Sequence, residues 1–83
     1  MGIKLFVGSL PLSLNEKNLK KTFKIYGAVL SVLIATDSHT GRSRGFGYVE
    51  MKSQTAARNA INALNGAELN GRNLFVEQAH LSD

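Results

Sequence analysis

The sequence predicts an α+β sandwich: a four-stranded antiparallel sheet, strand order 4-1-3-2, with two helices on one face. Three observations lead there. Apolar periodicity switches between two-residue and helical spacing in the order strand, helix, strand, strand, helix, strand. Each helical segment carries a single apolar stripe, so both must bury against the same side of the sheet. Two interleaved right-handed crossovers in that order leave the first and third strands in the middle. The 83 residues allow one domain, 1–83, and one modest core.

Ile3 to Val7 is the first apolar run, closed by Gly8 and the Leu10-Pro11 break; Ile3, Leu5 and Val7 share one face, Lys4 and Phe6 the other. Asn15 is the expected N-cap of the first helix, with Leu14 and Leu19 placed as a hydrophobic staple. Leu19, Phe23 and Tyr26 form its buried stripe, and Gly27 ends it. Val29 to Thr36, rich in β-branched residues, is the second strand. Asp37 to Ser43 reads as a long hairpin loop and Phe46 to Met51 as the third strand. Ser53 caps a second helix whose Ala57, Ala60, Ile61 and Leu64 recur at i, i+3, i+4 and i+7, with Asn65-Gly66 as its end. A short hairpin from Leu69 turns through Asn70-Gly71, and Leu74 to Gln78 is the last strand.

Hydrophobic residues are 43% of the chain and charged residues 19%, the balance of a globular domain rather than a disordered tail. No cysteine and only two histidines rule out a disulfide scaffold, a thiolate zinc site and a thiol nucleophile. No apolar run approaches the ~20 residues of a membrane span, and the first residues lack a secretion signal. The expectation is therefore a cytoplasmic protein with no membrane contact, no metal and no cofactor. Ten Lys and Arg against six Asp and Glu leave a net charge of +4, which suits a polyanion such as nucleic acid.

Strand parity puts Lys4 and Phe6 on the side of the sheet away from the helices. It does the same for Phe46, Tyr48 and Glu50, because Val49 and Met51 look inward. Phe6, Phe46 and Tyr48 should then meet on neighbouring strands, flanked by Lys4, Arg42 and Arg44. Rings offered with cations beside them suit unstacked bases and their phosphates, and a bare apolar patch on a monomer marks a docking surface. Phe75 and Leu33 fall on the same side.

At these residues the chain resembles the RNA-recognition motif family. Arg44-Gly45-Phe46-Gly47-Tyr48-Val49-Glu50-Met51 is similar to the eight-residue motif of the third strand at seven positions, with Met51 in place of the final aromatic. Leu5-Phe6-Val7-Gly8-Ser9-Leu10 is similar to the six-residue motif of the first strand, with Ser9 in place of the usual Asn. The likeness covers essentially the whole chain and, in wording, is nearest to small single-domain bacterial members. It implies a ferredoxin-like fold and binding of single-stranded RNA, with single-stranded DNA a weaker ligand, by a chain monomeric on its own. It implies post-transcriptional regulation or RNA chaperoning as the role. Phe6 and Tyr48 would stack under bases, Phe46 would pack against sugars, and Arg44 would neutralise a phosphate. Gln78 and His80 would read base edges after the last strand. Glycines 45 and 47 are expected to let nucleic acid and helices approach the backbone closely.

Other readings stand beside these. Lys17, Lys20, Lys21 and Lys24 on the first helix read first as a solvated face and second as a phosphate track. Glu50 and Glu77 could accept from base amino groups or hold Lys4 and its neighbours in place. A protein-binding module on the same fold is the alternative function, but such relatives have an acidic first helix and an Arg-X-Phe signature where this chain has Arg72-Asn73-Leu74. No catalytic residue is expected: Gly8 to Leu14 contains no cation for an acyl-phosphate, and Gly45-Phe46-Gly47 is no dinucleotide fingerprint.

Overall fold

The period-two pattern of the first apolar run becomes strand β1 (Ile3–Gly8) in the computed structural model, which describes residues 2–79. It is followed by α1 (Glu16–Lys24), β2 (Val29–Thr36), β3 (Ser43–Met51), α2 (Gln54–Leu64), a short ribbon of β4 (Glu68–Leu69) and β5 (Arg72–Asn73), and β6 (Phe75–Gln78). The main sheet runs β2-β3-β1-β6, antiparallel throughout. This is the expected 4-1-3-2 order, with β6 as the fourth strand.

Local chemistry fixes the helix starts. The Asn15 side chain accepts the Asn18 N–H at 2.8 Å, and Ser53 Oγ accepts the Ala56 N–H at 3.1 Å, each satisfying a donor the helix itself cannot pair. Leu19 and Phe23 of α1 and Ala57 and Ala60 of α2 are fully buried against Leu5, Val7, Val49 and Met51 of the central strands. Small alanines let α2 lie close to the sheet, while Phe23 fills the space under α1; burying one such ring contributes about 1.5–3 kcal/mol. All the apolar stripes are thereby used on one side of the sheet. Among the described residues, no helix is long and apolar enough to cross a membrane.

Several boundaries differ from the sequence reading: α1 stops at Lys24, so that the half-buried Tyr26 lies past its end, and β3 and β6 start elsewhere than expected. β3 begins at Ser43 rather than Phe46, because Ser43 pairs with Thr36 and its Oγ accepts the Gly45 N–H at 3.0 Å. Gly45, at φ +84°, interrupts the alternation that would have announced this extension. The hairpin loop is therefore Asp37 to Arg42, closed by the Asp37 N–H donating to the Arg42 carbonyl at 2.8 Å. Within it the exposed Asp37 carboxylate accepts the Thr40 and His39 N–H groups, which hold its pKa below the usual value. Leu74 precedes β6 instead of opening it: its N–H bonds the Ala67 carbonyl and its side chain joins the core.

The glycines of β3 also have different reasons from those expected. A Cβ at Gly47 would overlap the Leu33 carbonyl oxygen of β2, so the bare backbone serves strand-to-strand approach rather than access for a helix or a ligand. Gly45 is required by its positive φ. Ser9, the departure from the usual Asn, sits at φ +60°, a left-handed conformation that Asn tolerates better than Ser.

Two outcomes follow in urea denaturation. Gly47→Ala should lose about 1–3 kcal/mol by overpacking against β2. Ser9→Asn should leave the fold unchanged and raise stability by up to about 1 kcal/mol; a loss would show that Ser9 is not strained.

Candidate nucleic-acid interface

The antiparallel register of β1 and β3 sets Phe6 directly opposite Tyr48 and Lys4 opposite Glu50. Leu5 and Val7, and Val49 and Met51, are buried under the helices, so the alternating neighbours stand on the outer face. Phe6 is the hub. Its ring centroid lies 5.9 Å from that of Phe46, nearly parallel at 29°, and 5.7 Å from that of Tyr48 at 69°. Phe75 of β6 approaches from the other flank at 6.2 Å and 66°. Such offset and edge-on arrangements are those that aromatic quadrupoles favour, and they leave Phe6, Phe46 and Tyr48 half-buried and Phe75 48% exposed.

Two cations border the rings. Lys4 Nζ is 6.0 Å from the Tyr48 centroid, and the Arg44 guanidinium carbon is 6.0 Å from that of Phe46. Both stand at the outer limit of cation–π attraction, so neither is held tightly and each is free to turn to an anion. Glu50 is occupied within its own chain: Oε2 accepts the Gly2 N–H at 3.2 Å and Oε1 accepts the Ser31 hydroxyl at 3.1 Å. Lys4, the cation expected to pair with it, is not its hydrogen-bonding partner; the carboxylate ties Gly2, just before β1, to β2. Glu77, opposite Phe6 on β6, is exposed.

Lys4, Phe6, Arg44, Phe46, Tyr48, Glu50 and Phe75 are thus brought to one face. Two other expected residues, Arg42 and Gln78, are not. Arg42 lines a cleft of about 690 Å³ with Leu12, Leu14, Glu16, Ile34 and Thr36, between the approach to α1 and the β2–β3 hairpin. It is carried there because the loop closes on the Arg42 carbonyl before β3 begins. Gln78 pairs with the inward-facing Leu5, and its Oε1 accepts from Gln54 Nε2 of α2 at 3.5 Å, so its side chain belongs to the helix side. Parity carries this signal: Val76 is buried, so Gln78, two residues on, points the same way. His80 lies outside the described residues. Leu33, opposite Tyr48 on β2 and 57% exposed, extends the apolar face beyond the rings.

Among the described residues, the two-layer sandwich leaves four clustered rings on the sheet face opposite its helices. The sequence profile of the RNA recognition motif matches residues 5–74, and the chain belongs to that family. The glycine-rich RNA-binding protein blt801 of Hordeum vulgare is 46% identical over 76 residues, 92% of this chain and 47% of its own length. The putative RNA-binding protein RbpE of Nostoc sp. is 48% identical over 77 residues, 93% and 78% of the two chains. Glycine-rich RNA-binding protein 4 of Arabidopsis thaliana, named as mitochondrial, is 43% identical over 79 residues, 95% and 58%. The chain spans about half the length of the plant relatives, and plant proteins stand beside the cyanobacterial one, so the likeness does not point to bacteria alone. Among solved structures, RNA binding protein PG1 superposes with a TM-score of 0.92 at 42% identity, covering 98% of each chain. The Rna15 domain with bound GU RNA gives 0.86 at 28% identity, covering 96% of this chain and 85% of that one.

The placement of Gln78 has a direct consequence. Gln78→Ala should leave affinity for a short single-stranded RNA within about twofold in fluorescence anisotropy, as for a substitution away from the interface.

Proposed function

We propose that this chain binds single-stranded RNA across the outer face of its sheet. The observation that carries the reading is the Phe6-centred cluster with Phe46, Tyr48 and Phe75, standing half-buried to exposed on the face opposite the helices and bordered by Lys4 and Arg44. Two successive bases stack on Phe6 and Tyr48, each contributing about 1–3 kcal/mol. Phe46 packs against the intervening sugars, Phe75 enlarges the platform toward β6, and Lys4 and Arg44 neutralise phosphates. Mutual ring contacts hold the platform in shape before RNA arrives, which lowers the ordering cost of binding.

The protein-binding alternative is weaker. Leu74, standing where peptide-binding relatives carry the Phe of their signature, is only 3% exposed and belongs to the core. The proposal is one of binding rather than catalysis, and it extends to a monomer acting in the cytoplasm in post-transcriptional regulation or RNA chaperoning. Single-stranded DNA would be the weaker ligand, through loss of 2′-hydroxyl contacts.

Phe6→Ala and Tyr48→Ala should each weaken binding to a short oligonucleotide by roughly 5- to 150-fold, the equivalent of about 1–3 kcal/mol. Lys4→Ala and Arg44→Ala should each make the dependence of log affinity on log salt shallower by about 0.7. Titrations in which both ring substitutions bind like the wild type would sink the mechanism.

A further inference from the structure

The first helix carries four of the ten basic residues of the chain, and they are not scattered. Lys17, Lys20, Lys21 and Lys24 recur at i, i+3, i+4 and i+7, and all four are exposed. At about 100° per residue they fill an arc of roughly 100°, centred roughly 130° around the helix from the buried Leu19 and Phe23. From Lys17 to Lys24 the stripe runs about 10 Å along the axis, the rise of about three nucleotides on one strand of a duplex.

Simple solvation is a poor account of this pattern. The spacing creates four like-charge neighbours, Lys17 with Lys20 and Lys21, and Lys24 with Lys20 and Lys21, each disfavouring the helix. Lys17 also lies in the first turn, where the helix dipole opposes a cation; only Lys21 and Lys24, in the last turn, benefit from it. The one acidic residue of the helix, Glu16, has Oε2 accepting the Ile34 N–H of β2 at 2.9 Å and is drawn toward the sheet edge. A membrane surface does not fit, because an interfacial helix must offer its apolar face, and here Leu19 and Phe23 have no exposed area. Compact, flexible ammonium groups without a fixed fork suit phosphates irrespective of base sequence.

The geometry points to a second RNA surface on α1, a sequence-independent phosphate track, so that one chain holds two RNA segments at once, one on each layer of the sandwich. This rests on the sheet-face reading above, since it is that reading which makes RNA rather than an acidic protein the polyanion at hand. The sheet face selects and unstacks one single strand; the lysine stripe gathers a second by its backbone. Bringing two strands together is what an RNA-annealing activity requires.

The experiment tethers a short single-stranded RNA, saturates it with the whole protein, removes unbound protein, and adds a dye-labelled oligouridine that cannot pair with the tethered strand. Wild type should retain the second strand at low salt, with a log–log salt slope of about −3, near 0.7 per lysine. The K17Q/K20Q/K21Q/K24Q variant should hold the tethered strand within about twofold of wild type and retain the second at least tenfold less; K17E/K21E should do the same with fewer changes. Undiminished second-strand retention by these variants, or no retention by wild type that holds the first strand, would overturn the inference and leave the sheet-face reading intact. Polyglutamate binding the stripe more tightly than oligouridine would reassign it to an acidic protein. A Phe6→Ala/Tyr48→Ala variant that still holds the tethered strand as wild type does would bring down the sheet-face reading, and this inference with it.

Discussion

Opposite one another on adjacent antiparallel strands, Phe6 of β1 and Tyr48 of β3 form the pair on which the rest of the surface depends. Their shared register places Leu5 against Val49 on the other side, where both are fully buried. A slip of one residue would send the rings into the core and the aliphatic side chains into water. Core and binding face are therefore two readings of the same hydrogen-bond ladder. Whatever stabilises the packing of Phe23 and Leu19 on the sheet also holds the rings in place outside.

The sandwich is asymmetric for a simple reason. Each helix has one apolar stripe, both stripes are used on the same side, and among the described residues nothing covers the other. The outer face is stabilised instead by contacts within itself: Phe6 touches three rings, and Glu50 joins β1 to β2 through Gly2 and Ser31. An exposed apolar patch would ordinarily be a liability; here mutual burial reduces it while leaving enough ring surface for a flat partner. The cations at its border stand about as far from the rings as attraction extends, a compromise between holding them near and leaving them available.

Charge is divided between the layers. Lys4 and Arg44 border the rings, whereas the lysines of α1 lie on the far layer, where the exposed apolar side chain next to them is Ile25 at the helix C-cap. The first arrangement sets charge beside aromatic faces. The second has charge alone, which makes it dependent on ionic strength and indifferent to sequence.

Much of this was determined by local pattern. The element order, the caps at Asn15 and Ser53, the burial of Leu19 and Phe23, and the outward turn of Phe6, Phe46 and Tyr48 all follow from periodicity, since a strand of period two leaves each side chain only two directions. Even the inward turn of Gln78 follows from the outward turn expected of Phe75, an odd number of residues before it on the same strand. What depended on the assembled sheet involves partners distant along the chain. Glu50 finds Gly2 and Ser31 because three strands converge there, 48 and 19 residues apart in sequence. Gly47 must be bare because the Leu33 carbonyl of β2 lies where its Cβ would be. Arg42 leaves the ring face because the hairpin closes one residue before β3 starts and turns toward the α1 side. Periodicity describes the direction of a side chain from its own strand, but which atoms wait there is decided only when the strands are brought side by side.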